Sequence, residues 1–320
     1  MLLHLLVLVF TYFVVNADDP KMVGVVQHKL SLLRPDPLCK HIQHSHRCPQ
    51  KVLPRSYSTT INNNTFSFPK KVKVLVMGDS VIWQMWQLLE CMLPPSSPIS
   101  FDFQGLHVFP ETESIFIDTL NGFQSTQKYD IFIISIGMWY NWDWNSDLDL
   151  SASSSWTLKT LEESKKCPDG LRDLLFSTNR WFIRGLTTRA RCKEHLLGLD
   201  AYVSGLKRLS NIAKMGTFPL ILWKDLPPQH WNGSESGQYE WGTKGSCASI
   251  PDKEKAYSRN RVADTVLENS VLFARTWPID VNAWDKHNGK QCTHYCNPSM
   301  MTIGWVLETL RRIETMISKK

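Results

Sequence analysis

The stretch Lys71-Val72-Lys73-Val74-Leu75-Val76-Met77-Gly78-Asp79-Ser80 decides the fold. Its β-branched run predicts a buried strand over residues 71–76. Gly78-Asp79-Ser80 then turns the chain, and residues 81–93 fit a helix stopped by Pro94-Pro95. Glycine allows the tight turn and leaves the Ser80 hydroxyl at a helix N-terminus. Free backbone N–H groups there can stabilise a developing oxyanion. The same tripeptide also suits a plain helix cap, because Asp and Ser both favour that position.

Outward from this unit the pattern repeats. Residues 129–136 (YDIFIISI) read as the central strand, followed by a Trp-rich loop over 139–144. Residues 171–186 and 192–213 carry helical spacing, 218–223 a strand, 253–267 a helix, 271–273 a strand and 299–317 a closing helix. Strands alternating with helices of this length imply βαβ units and a parallel sheet covered on both faces. Sites in such folds lie beyond the carboxyl ends of the strands. Ser80, Trp139, His230 and His294 all fall in positions such a site draws on.

The chain has 320 residues, and its 42% hydrophobic and 21% charged fractions supply a sizeable core. The formal charge of +6 is spread over scattered Lys and Arg, which argues against a nucleic-acid partner. Thirteen tryptophans suit either core packing or flat platforms for sugars. Residues 1–15 are apolar without Lys or Arg, and Val15-Asn16-Ala17 offers small residues before Asp18. We read residues 1–17 as a signal peptide, with a short anchor as the alternative, and the destination as secreted or the ER/Golgi lumen.

Eight cysteines (Cys39, Cys48, Cys91, Cys167, Cys192, Cys247, Cys292 and Cys296) agree with that route. They read as disulfides whose pairing, among about 105 possibilities, is not legible in sequence. Asn63 and Asn232 head glycosylation sequons. Residues 18–68 read as an N-terminal extension held by Cys39 and Cys48, and residues 69–320 as one α/β domain. Cys39, His41, His44, His46 and Cys48 have the right atoms for zinc, but their spacing matches no standard finger, and no metal is expected.

A second constellation precedes the last helix: Gln291-Cys292-Thr293-His294-Tyr295-Cys296-Asn297-Pro298. A histidine between two disulfide-bonded cysteines is held firmly in place. Ser80 needs a base to become a nucleophile, and His294 can supply it.

Here the chain resembles the PC-esterase group of the SGNH (GDSL) hydrolases, which includes the trichome-birefringence-like polysaccharide O-acetyltransferases. Gly78-Asp79-Ser80, with Cys91 in the following helix, is similar to the nucleophile block of that group. Ile136-Gly137-Met138-Trp139-Tyr140 resembles its Gly-His-Trp-Trp block. Pro228-x-His230-Trp231-x-Gly233, continuing to Trp241-Gly242 and Gly245-Ser246-Cys247, resembles its Ser-Pro-x-His-Phe-x-Gly-Gly segment. Cys292-Thr293-His294-Tyr295-Cys296 with Pro298 resembles its closing Asp-Cys-x-His-Trp-Cys-x-Pro block.

The resemblance implies a three-layer SGNH-hydrolase-like α/β fold with a mostly parallel sheet. It implies Ser80 as nucleophile, His294 as base, and an oxyanion site of N–H groups around Ser80 and Gly137. Gly78, Asp79, Trp139, Asn141 and His230 are the further candidates for oxyanion or substrate contacts. No cofactor is implied; the partners are a carbohydrate and an acyl donor, in either an O-acetyltransferase or an acetylesterase.

Two positions depart from the pattern: Met138 replaces a His, and Gln291 stands where the group has its triad Asp. An amide can orient the imidazole but supplies no charge. Three arrangements remain open. Asp285 or Asp280 supplies the carboxylate, or a Ser-His pair works with Gln291, or catalysis is lost and a glycan-binding or interaction cleft is kept.

Overall fold

The structure is a computed structural model that describes residues 28–31, 65–110, 112–138, 140, 199–239, 246–288 and 291–319. Five parallel strands form the central sheet: β3 (Val72–Gly78), β4 (Ile99–Gly105), β5 (Ile131–Ser135), β6 (Leu220–Lys224) and β7 (Leu272–Ala274), in the order β4-β3-β5-β6-β7. β1 (His28–Ser31) and β2 (Thr65–Phe68) make a separate antiparallel pair. The long helices are α1 (Ser80–Met92), α2 (Glu113–Thr126), α3 (Leu199–Met215) and α4 (Lys253–Leu267). A short α5 (Trp277–Asp280) and a 3-10 turn (Trp284–Lys286) lead to an antiparallel pair, β8 (His287–Asn288) and β9 (Gln291–Tyr295). Helix α6 (Met300–Ser318) follows.

The strands are apolar on both faces because both are covered. Val72, Val74 and Val76 point with Ile131 and Ile133 into a core shared with α1 and α6. Leu75, Met77, Phe132 and Ile134 point the other way, into a core shared with α2, α3 and α4. The result is the three-layer α/β arrangement expected from the alternation of elements. Leu30, Phe66 and Phe68 of the β1–β2 pair join the α1–α6 core, and the Ser67 N–H donates to Glu314 of α6 at 2.6 Å. That part of the N-terminal extension is therefore packed against the domain.

The observed strands begin one or two residues later than the sequence patterns put them at β5, β6 and β7. The short β1, β2, α5, β8 and β9 escaped the sequence reading, and so did two elements of the three-layer core. β4 is an edge strand whose second half is only partly buried, so ISFDFQG lacks a continuous apolar run. Helix α2 buries little more than Phe116 and Leu120, and its apolar face is correspondingly sparse. The helix expected over residues 171–186 and the start of the one over 192–213 lie outside the described residues.

The helix that begins at Ser80 and the helix that follows β9 are both capped by side chains. Asp79 accepts from the Val81 N–H at the start of α1, and Ser299 with Thr302 forms a capping box at the start of α6. Each such cap stabilises its helix by about 1 kcal/mol. Gly78, at φ +155°, lies so close to β5 that a Cβ there would stand 2.1 Å from the Ser135 carbonyl oxygen. No side chain fits, and this is why the turn into Ser80 needs glycine.

Candidate active site

Ser80 is the first residue of α1, just beyond the carboxyl end of β3. His294 is on β9, 214 residues later, and its Nε2 lies 2.8 Å from Ser80 Oγ. The other ring nitrogen, Nδ1, lies 2.5 Å from Gln291 Oε1. An amide oxygen only accepts, so Nδ1 carries the proton and Nε2 presents its lone pair to the serine. That is the tautomer a general base needs.

The acid candidates are corrected by this geometry. Asp285 is exposed and pairs with Lys286, its neighbour on the 3-10 turn, instead of reaching the His294 ring. Asp280 is buried, and both its oxygens accept from Trp305 Nε1 at 2.7 and 2.9 Å. Burial pushes the Asp280 carboxyl up to about 7, against the opposing charge of Lys224. The group on His294 Nδ1 is Gln291.

Several contacts hold β9 against α1. Cys292 is bonded to Cys247, and the His230 N–H donates to the Cys292 carbonyl at 3.0 Å. Cys91 and Cys296 are disulfide-bonded as well, so Cys292 and Cys296 do not offer thiolates for a metal. Gln84, one turn into α1, bonds both backbone groups of Tyr295, and Asn297 Nδ2 donates to the Gln84 carbonyl at 2.7 Å. On the outer side, Trp231 Nε1 and Gln229 Nε2 each donate to Thr293 Oγ1 at 3.1 Å. Trp231 meets Tyr239 edge-on, with ring centroids 5.0 Å apart.

Other expected contact residues have different places. Asp79 is buried beneath Ser80 and acts as the α1 cap, without a face towards a substrate. Burial pushes its carboxyl up to about 6, while the backbone N–H groups of Val81, Met138 and Ile82 and the charge of Lys224 oppose the rise. His230 is fully buried, with Nδ1 2.7 Å from His287 Nε2, so it supports the site from behind instead of lining a cleft. At Gly137, a Cβ would stand 2.3 Å from Leu226 Cδ1, so close packing requires the glycine. Trp139, Asn141, Asn63, Cys39, Cys48, Cys167 and Cys192 lie outside the described residues. Asn232 is exposed on a turn.

Sequence reasoning missed Gln84 and His287. Gln84 shows no sequence signal beyond being a polar residue on the buried face of an amphipathic helix. Among the described residues no group of three or more metal-binding side chains clusters, and no helix is long and apolar enough to cross a membrane.

No protein-family model matches the chain, and no curated protein is similar to it in sequence. Among solved structures it is similar to a "putative GDSL-like lipase" from Parabacteroides merdae. The two are 12% identical with a TM-score of 0.32, over 75% of this chain and 97% of that one.

Proposed function

We propose that this chain is a serine acyl-ester enzyme of the SGNH kind, acting on O-acetyl groups of glycans as an acetylesterase or O-acetyltransferase. The observation that carries the reading is the 2.8 Å contact between Ser80 Oγ and His294 Nε2, with Gln291 Oε1 on the far ring nitrogen.

His294 takes the Ser80 proton as Oγ attacks the ester carbonyl carbon. The carbonyl oxygen becomes an oxyanion held by backbone N–H groups at the start of α1. The tetrahedral intermediate collapses, the alcohol leaves with the proton from the imidazolium, and an acyl-serine remains. His294 then deprotonates the acceptor, water or a sugar hydroxyl, which attacks the acyl carbon and regenerates Ser80. Gln291 orients the ring but leaves the imidazolium without a compensating charge, so the expected turnover is slow.

The glycan assignment draws on the resemblance of the four sequence blocks. The half-buried Trp231 and exposed Tyr239, anchored next to Thr293, support it by supplying an aromatic surface near His294. We further propose a secretory location, which the disulfide-bonded cysteines support.

The test is hydrolysis of a chromogenic acetyl ester by purified protein beside Ser80→Ala, with fluorophosphonate labelling of both. Labelling at Ser80 and turnover lost in the variant are expected. A wild-type Ser80 that stays unlabelled sinks the enzyme reading in favour of a binding cleft. Added sugar acceptors then separate transferase from esterase.

A further inference from the structure

His287 is a buried histidine that the chemistry above does not use. Its Nδ1 lies 3.0 Å from the carbonyl oxygen of His294, and its Nε2 lies 2.7 Å from His230 Nδ1. A carbonyl oxygen only accepts, so Nδ1 of His287 carries a proton and Nε2, on the neutral ring, does not. His230 Nδ1 then donates to His287 Nε2 at 2.7 Å, in preference to the longer 3.3 Å approach of His230 Nε2 to the Val281 carbonyl. The tautomer of His287 follows from one carbonyl, and that carbonyl belongs to the residue facing Ser80.

We propose that His287 is a positioning residue for His294, gripping its backbone from behind while His230 occupies the second nitrogen of the His287 ring. This inference rests on His294 being the base. The simplest competing role is packing, since the His287 ring stacks on Tyr295 at 4.0 Å with an interplanar angle of 26°. Packing alone has no use for two ring nitrogens in a dry interior, where an unbonded one costs free energy and a phenyl ring would stack equally well. Here both nitrogens are bonded, and one bond ends on the backbone of the base itself.

The geometry explains why the grip matters. His287 and Tyr295 are register partners across the β8–β9 pair, and Gln84 holds Tyr295 from the α1 side. His294 is therefore fixed from two directions, with Gln291 orienting only the far edge of its ring. Losing one direction lets Nε2 drift from Oγ. A displacement of about 1 Å in a reacting pair can cost about 100-fold in rate.

The experiment compares His287→Phe, which keeps the stacked ring and loses both nitrogens, with His287→Asn, whose amide N–H can replace Nδ1–H at the carbonyl. Active sites are counted by fluorophosphonate stoichiometry, and kcat is expressed per labelled Ser80. The expected result is a kcat reduced about 10- to 100-fold in His287→Phe with KM little changed, and largely restored in His287→Asn. Equal kcat per labelled site in wild type and His287→Phe, with only a lower Tm, overturns the proposal and leaves a packing role.

His230→Phe supplies the same comparison should His287→Phe fail to fold, because it leaves His287 in place and removes the donor to its Nε2. If wild-type Ser80 takes no label, the catalytic reading has failed separately. Nitrogen-15 spectra of the histidines then decide: a protected Nδ1–H on His294, kept in His287→Asn and lost in His287→Phe, supports positioning, and its persistence in His287→Phe refutes it.

Discussion

The side-chain amide of Gln84 makes both hydrogen bonds with the backbone of Tyr295: Nε2 donates to the carbonyl at 2.9 Å and Oε1 accepts from the N–H at 3.2 Å. Gln84 thus pairs with β9 as a strand would, and it does so one turn after Ser80 and one residue after His294. The clamp holds the strand of the base against the helix of the nucleophile.

Gln84→Leu leaves two buried backbone groups of Tyr295 without their partners. Each is expected to cost about 1–3 kcal/mol, so the melting temperature falls and Ser80-dependent turnover falls with it. Thermal unfolding and ester hydrolysis measure both. A variant as stable and active as wild type contradicts the clamp.

Gln291→Glu keeps the side-chain length and replaces the amide by a carboxylate. The new charge stabilises the imidazolium, so turnover at neutral pH is expected to rise, by about 10-fold or more. The same charge raises the His294 pKa, and the acidic limb of the pH–rate profile therefore moves to higher pH. Unchanged rate and unchanged limb would show that Gln291 does not act on the ring.

The buried histidine pair predicts acid lability. Burial lowers His230 to about 4 and His287 to about 3, from 6.5 when unfolded, with the neighbouring His230 and His294 rings further lowering His287. Asp285 beside His230 opposes its shift, and Tyr295 packs against both rings. Below pH 6.5 the unfolded chain binds protons that the folded chain refuses, so this stability is present above 6.5 and is lost as the pH falls towards 4. Asp79 and Asp280, raised to about 6 and 7, act in the opposite sense, their contribution being lost as pH rises. The histidine contribution is isolated by difference. Wild type should lose more melting temperature between pH 6.5 and 4 than the double variant His230→Phe/His287→Phe, and parallel curves would refute it.

The Cys247–Cys292 bond closes a 45-residue separation and anchors the strand that carries His294. Cys247→Ser/Cys292→Ser is expected to lose about 4 kcal/mol on the chain-entropy account, and more turnover than that loss of folded protein explains. Activity per labelled Ser80, measured well below the melting transition, makes the comparison. Full activity per site shows that the bond serves stability alone.

Much of the sheet was legible locally. In β3 and β5 the apolar residues face two cores, so both strands read as continuous hydrophobic runs. Gly78-Asp79-Ser80 announced the turn because glycine tolerance, helix capping and chain reversal are properties of neighbouring residues. β4 and α2 were silent because each is only partly covered, which leaves a weak periodic signal.

The sequence by itself determined the alternation of strands and helices, the apolar content of the sheet, and the residue types able to serve as nucleophile and base. Only the tertiary structure decided that Gln291, and neither Asp285 nor Asp280, meets the His294 ring, and that His230 turns inwards to His287. The physical reason is range. Periodicity and capping act over a few residues, whereas the partners of a buried polar group are chosen by whatever segments packing brings within hydrogen-bond distance. At the Ser80–His294 contact those segments lie 214 residues apart.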